Sequence, residues 1–158
     1  MIIRSGKARL HIATAEQAER HGMYSSARLS EDGGLKQFGA YLETLEPGSR
    51  SSERHWHEQE DEFLYLLSGE ATVIEDDGEH LLLAGDAACW PAGTANAHHV
   101  VNRSRAPCSY LIVGTRASHD VCHYPDSGRT QYTQGETWRL EEADGRIVKS
   151  GRVTRGTE

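Results

Sequence analysis

From residue 38 onward the apolar positions fall into short runs, each closed by turn-forming residues. Phe38, Ala40, Leu42 and Thr44 share one face of a strand, and Tyr41, Glu43 and Leu45 share the other, because successive strand side chains alternate. Pro47-Gly48-Ser49 ends that run. Glu62–Leu67 is an apolar run closed by Ser68-Gly69, and Ala71–Ile74 meets Asp76-Asp77-Gly78. His80–Leu83 stops at Gly85-Asp86, and Ala87–Trp90 leads into Pro91-Ala92-Gly93. His98–Val101 and Ser109–Val113 are further β-rich runs. Turn signals at this density, with no long helical period, predict an all-β antiparallel sandwich or barrel, and the even spacing suits a jelly roll. Ahead of it, residues 13–27 are rich in Ala, Glu and Gln and predict a short helical turn, followed by the turn cluster Glu31-Asp32-Gly33-Gly34. Behind it, Thr137–Leu140 and Arg146–Val148 flank Ala143-Asp144-Gly145 as a hairpin, and residues 149–158 read as a disordered tail. The expected organisation is an N-terminal extension over 1–37, a β-barrel over 38–126, and a C-terminal hairpin and tail over 127–158.

Composition narrows this to one domain. The chain has 158 residues, of which 37% are hydrophobic and 16 are glycine, enough for one buried core. Net charge is −7, which argues against a nucleic-acid or anionic-membrane binder, since both need a basic face. Mean hydropathy is −0.64, and no apolar run approaches the roughly 18 residues that span a bilayer. The N-terminus has no apolar signal-peptide core. Cys89, Cys108 and Cys122 are odd in number and show no C-x-x-C spacing, so they read as small buried hydrophobes of a reducing cytoplasm rather than as disulfides or a zinc ribbon.

The 9 histidines stand out, because histidine is the commonest metal ligand. In the segment from Gly48 to Gly69, His55 and His57 are two apart, so on a strand both imidazoles point the same way. Glu62 follows across a short polar turn, where it can begin the next strand. Two histidines and a carboxylate converging on one point make a site for Zn, Fe, Mn or Ni. In the segment from Gly85 to Asn102, a glycine turn, a strand and the Pro91-Ala92-Gly93 turn lead to His98, which could add a fourth ligand from another strand. Strand alternation turns His99 the other way.

These residues resemble the cupin superfamily. His55-x-His57-x4-Glu62-x6-Gly69 is similar to its first motif. Gly85-x5-Pro91-x-Gly93 and His98-x3-Asn102 are similar to the start and end of its second. The gap before His98 is two residues longer than the family's pattern, which applied rigidly would fall on Asn96; His98 keeps the His-x3-Asn spacing and is the better ligand. The resemblance implies a double-stranded β-helix, a jelly-roll barrel, holding one divalent metal through His55, His57, Glu62 and His98. Asn102 is expected to fix the strand rather than touch the metal.

Around that site, Glu58–Asp61 reads as an acidic rim, with Glu60 as a rival ligand to Glu62. Tyr41 and Tyr110 are the candidate catalytic residues, since a phenol can donate a proton or orient a ligand. Alternation turns Trp56 away from the His55/His57 face. Arg28, Lys36, Arg50, Arg54 and Arg103 are possible anion contacts. A polar pocket of this kind suits Lewis-acid isomerase or lyase chemistry on a small polar molecule: a sugar, sugar phosphate or hydroxy acid. An Fe(II)-dependent dioxygenase and a non-catalytic metal- or ligand-binding module are the alternatives. A homodimer is expected, with the hairpin around Trp138 and Leu140 covering a sheet edge.

Overall fold

The computed structural model describes residues 1–153. Its largest sheet has six antiparallel strands in the order β1 (Leu10–Ile12), β2 (Tyr24–Arg28), β3 (Phe38–Leu45), β10 (Cys108–Thr115), β5 (Glu62–Ser68) and β8 (Ala87–Trp90). A three-stranded sheet runs β7 (Gly78–Leu83), β6 (Glu70–Glu75), β9 (His99–Val101). A five-stranded sheet runs β14 (Ile147–Arg152), β13 (Thr137–Glu141), β12 (Arg129–Gln134), β11 (His119–Tyr124), β4 (Trp56–His57). The helices are α1 (Ala15–His21) and α2 (Leu29–Asp32). The expected all-β class stands. No helix of the described residues is long and apolar enough to cross a membrane.

The core sits between the six-stranded and three-stranded sheets. Leu45, Leu64, Leu66, Cys108 and Tyr110 come from the first, and Ala71, Val73, Leu82 and Val100 from the second. Strand alternation divides the large sheet into two unlike faces. Inward lie Tyr41, Glu43 and Leu45 on β3, opposite Ile112, Tyr110 and Cys108 on β10. Outward, Leu111 lies between Leu42 and Tyr65, and Val113 between Ala40 and Phe63.

Several elements differ from the sequence expectation. Within 13–27 only Ala15–His21 is helical, started by a capping box between Thr14 and Gln17. Residues 24–28 then form β2, which pairs with β3, so the residues ahead of 38 extend the main sheet. The cluster at 31–34 is not all turn: α2 takes Glu31 and Asp32, and buries Glu31. The hairpin around 143–145 is present, but residues 149–152 are strand β14 rather than a disordered tail; 154–158 lie outside the described residues. Strand β11 was not expected, because Val121 and Cys122 stand among His119, Asp120 and His123 and give no apolar run. Cys89 is exposed, unlike Cys108 and Cys122; all three are free.

Two motif residues act as structural fasteners. Gly69 has φ +77°, and a Cβ there would come within 2.7 Å of the Pro107 carbonyl oxygen. Asn102 is fully buried; its Nδ2 donates to the Leu45 and Ala106 carbonyls at 2.9 Å each, and its Oδ1 accepts from the Ser104 N–H and hydroxyl. It therefore ties the end of β9 to β3 and to the turn before β10. Removing it leaves the carbonyl of buried Leu45 without this partner, at about 1–3 kcal/mol, and frees the turn before β10. Asn102→Ala is expected to lower unfolding stability by about 3 kcal/mol in denaturant titration, with the metal-ligand side chains untouched.

Candidate metal centre

Strand pairing places the first two ligands. His55 and His98 face each other across an antiparallel bridge: the His55 N–H donates to the His98 carbonyl at 3.1 Å, and the His98 N–H to the His55 carbonyl at 2.9 Å. Directly opposed residues project to the same side, and the two rings lie 5.2 Å apart. Glu62 arrives from the facing sheet at the start of β5. Its Oε2 lies 2.8 Å from His98 Nε2 and 3.6 Å from His55 Nε2. Trp90, opposite Glu62 across the β5–β8 pair, stacks flat on the His98 ring at 3.9 Å and fixes its plane.

His57 follows on β4, its ring edge-on to His55 at 5.2 Å. The metal-capable atoms of His55, Glu62 and His98 form one close group, whereas His57 groups with Glu60 and Asp120. The four expected ligands are thus brought to one end of the sandwich, three of them converging and His57 standing beside them. Asn96 is engaged elsewhere, accepting from the Asp76 N–H through its side-chain oxygen. His99 turns its Nδ1 to the Ser52 carbonyl at 3.0 Å.

The tautomers follow from the acceptors. His55 Nδ1 faces the Glu53 carbonyl at 2.9 Å, His98 Nδ1 the Asn96 carbonyl at 3.1 Å, and His57 Nδ1 the Asp120 carboxylate at 2.6 Å. These oxygens only accept, so each Nδ1 carries a proton and each Nε2 is the ring atom free to face a metal; a proton held on Nε2, as by His98 against Glu62, would leave when an ion binds. Three imidazoles fixed through Nδ1, with one carboxylate, are a donor set suited to a divalent transition ion.

Electrostatics point the same way. Burial alone would raise the Glu62 carboxyl, but the His98 hydrogen bond and the His55 and His57 rings override it and hold it down to about 2. Burial would lower His57, but Asp120, with Cys122, pushes it up to about 11. Burial lowers His55, and Glu62 offsets this only in part. The cluster keeps its carboxylate ionised and available.

The group opens into a cavity of about 310 Å³, within the range of small-molecule sites. Both expected catalytic tyrosines line it. Tyr110 is buried and its hydroxyl donates to Glu43 Oε2 at 2.8 Å, and Glu43 lines the same cavity. Burial raises the Glu43 carboxyl, and the hydrogen bonds from Tyr110 and Ser26 only partly oppose it. Tyr41 donates to Glu31 at 2.6 Å and accepts from Arg116 at 2.8 Å, and Arg116 also pairs with Glu31. None of Arg28, Lys36, Arg50, Arg54 and Arg103 lines the cavity; Arg116 does. Arg54 is spent on Asp76 and Asp126, and Arg103 on Glu79. The acidic rim is largely structural: Glu58 bonds His123, Asp61 bonds the Ala92 N–H, and only Glu60 faces the cavity. Trp56 stacks on His123 at 4.3 Å, away from the cluster as alternation requires.

Glu31, Glu43, Arg116 and Asp120 are the site residues that sequence reasoning missed. Glu43 was findable, since it shares the inward face of β3 with Tyr41. The others had no spacing signal.

Histidines and a glutamate converging at the wall of a cavity define the class: a small β-sandwich whose side-chain cluster could hold a metal ion beside space for a small molecule. A cupin domain family model matches residues 41–114. A sugar phosphate isomerase of a cupin superfamily from Silicibacter pomeroyi is 34% identical, with 94% of this chain and 97% of that chain covered and a TM-score of 0.86. The chain belongs to the cupin superfamily. A candidate sugar phosphate isomerase from Acidithiobacillus ferrooxidans is 29% identical, covering 87% of this chain and 96% of that one at TM-score 0.74. A protein named as a predicted oxalate decarboxylase from Thermotoga maritima is 25% identical over 74% of this chain and all of its own, at TM-score 0.62. No curated protein sequence matches the chain.

The Glu31–Arg116 pair is buried, and breaking such a pair costs about 3–5 kcal/mol. Burial would raise the Glu31 carboxyl, but the Tyr41 and Ser30 hydrogen bonds and Arg116 hold it below the usual carboxylate range. A carboxylate depressed in the folded state stabilises above its unfolded pKa, and this is lost as pH falls through its folded value. Glu31→Gln is expected to cost about 3 kcal/mol at pH 7 in urea titration. The gap from wild type should narrow as pH falls below about 4.3.

Proposed function

We propose that the chain is a metal-dependent enzyme performing isomerase- or lyase-type chemistry on a small polar substrate: a sugar, sugar phosphate or hydroxy acid. The observation that carries this is the convergence of His55, Glu62 and His98 at a cavity that the Glu43 carboxyl also lines. His55, His57, Glu62 and His98 would hold one divalent ion, which when bound supplies Lewis-acid polarisation of a carbonyl or carboxylate. The similarity to sugar phosphate isomerases at 34% and 29% identity favours the isomerase branch.

The remaining roles belong to the chain's own groups. Asp120 is a positioning residue, keeping the His57 proton on Nδ1. Glu43, whose carboxyl burial pushes up, takes or gives a proton at its carboxyl oxygen, and Tyr110 keeps that oxygen in place. Tyr41 and Arg116 present fixed donors to substrate oxygens; because Glu31 balances the guanidinium, they add direction rather than net charge. Trp90 and Ile112 supply apolar wall that excludes water. Free, unpaired cysteines fit a cytoplasmic setting, and the uncovered sheet surface fits a homodimer.

The test is turnover. Apo-protein loaded separately with Zn, Mn, Ni and Fe(II) is screened by NMR against aldose and ketose phosphates, free sugars and hydroxy acids. Isomerisation or elimination with a redox-inactive ion is expected, and Glu43→Gln should lower kcat about a hundredfold with KM little changed. Turnover confined to Fe(II) with oxygen consumed would make the protein a dioxygenase instead. No turnover with any ion would make it a binding module.

A further inference from the structure

We propose that His11, on the edge strand β1, is a positioning residue for the cavity carboxyl Glu43: the two are joined through the Ser26 hydroxyl, so the charge of Glu43 is set from the outer edge of the sheet as well as from the cavity. This rests on the reading of Glu43 as proton carrier and adds the group that tunes it.

Strand register carries the inference. Residues directly opposed across antiparallel strands project to the same side of a sheet. His11 opposes Ser26, Ser26 opposes Glu43, and Glu43 opposes Tyr110. A polar row therefore crosses β1, β2, β3 and β10 on the inward face. The inward row beside it, Tyr24, Leu45 and Cys108, packs in the hydrophobic core, so the sheet does not require polar residues there. Ser26 is buried, and its hydroxyl donates to Glu43. A hydroxyl both donates and accepts, so one set between a carboxyl and an imidazole can pass a proton either way by turning.

The tautomer of His11 follows from its other side. The Thr14 N–H donates to Gln17 Oε1 at 2.9 Å, which fixes that amide atom as the oxygen. The same oxygen lies 3.1 Å from His11 Nε2, so Nε2 carries a proton and Nδ1 of the neutral ring is the acceptor. Helix α1 thereby holds the imidazole through its own capping residue. For Glu43 to lose a proton by this route, its carboxyl proton passes to Ser26 Oγ as the Ser26 hydroxyl proton passes to His11 Nδ1. The imidazolium then gives one proton to water.

Burial dominates the upward push on Glu43, and Glu62 adds to it. Tyr110 and Ser26 oppose it by hydrogen bonds, and His11 by its charge. Burial and Glu43 together raise Tyr24, the other titratable group of β2 on this side, while Arg28 and Tyr41 form the next inward row. Among the groups acting on Glu43, His11 is the one that brings positive charge.

Carbon-13 NMR of the glutamate carboxyls in metal-free protein tests the pair, with the Glu43 resonance assigned from Glu43→Gln. His11→Gln is expected to raise the pH midpoint of Glu43 by about one unit, because it removes an opposite charge. His11→Lys, which restores a cation, should bring the midpoint back to the wild-type value or below it, and His80→Gln should leave it alone. An unchanged midpoint in His11→Gln would overturn the proposal. So would an equal rise in His11→Gln and His11→Lys, since lost packing rather than lost charge would then be the cause. The midpoint tests the pair, whereas turnover of Glu43→Gln tests the carrier role, so the two readings fail separately.

Discussion

The candidate centre depends on one backbone contact, the reciprocal pair of hydrogen bonds between His55 and His98. It sits where the chain passes from the loop ahead of β4 to the loop ahead of β9. It converts two residues far apart in sequence into neighbours with their side chains on one side. Glu62 then needs only to begin its strand on the facing sheet to meet both imidazoles, and Trp90 needs only the β5–β8 register to lie on His98. Placement of these residues is therefore a product of backbone pairing: one isolated bridge sets His55 and His98, and the start of a sheet strand sets Glu62.

The surroundings finish what pairing begins. Each of these histidines gives its Nδ1 proton to an oxygen that can only accept, which fixes the ring and leaves Nε2 as the atom that would face an ion. The cavity is lined by carboxyls driven in opposite directions. Glu62 is held ionised by its imidazole neighbours, whereas Glu43, buried against Tyr110, is pushed toward its neutral form. Carboxyls driven in opposite directions by their environments are the usual basis for dividing ligand and proton-carrier roles within one pocket.

The ligand residues were legible because strand periodicity and short motif spacing are local. His55-x-His57, the following Glu62 and the later His98 could each be placed from alternation and turns alone, and the resemblance to cupins joined them. The runs ending in Trp90 and Val101 were equally plain. What could not be seen depends on contacts distant in sequence. Asp120 reaches His57 across 63 residues, and Arg116 reaches Glu31 across 85. No periodicity links such pairs. Strands β11 and β12 were hidden because their polar composition satisfies a sheet partner rather than a core. Glu31 was hidden because a Glu-Asp-Gly-Gly string has turn chemistry whether or not its first residue is buried. Both tyrosines fall on the cavity, and only the register of β3 against β10 reveals that Tyr110 is hydrogen-bonded to Glu43.

The central claim is that three histidines and Glu62 act together on one ion. X-ray absorption spectroscopy of protein reconstituted with one zinc per chain tests it most directly, on wild type and on His57→Ala. The account predicts a first shell with three imidazoles and one carboxylate in the wild type, falling to two imidazoles in His57→Ala. A wild-type shell of two imidazoles, unchanged by His57→Ala, would contradict it, because His57 would then belong to Asp120 and Glu60 alone.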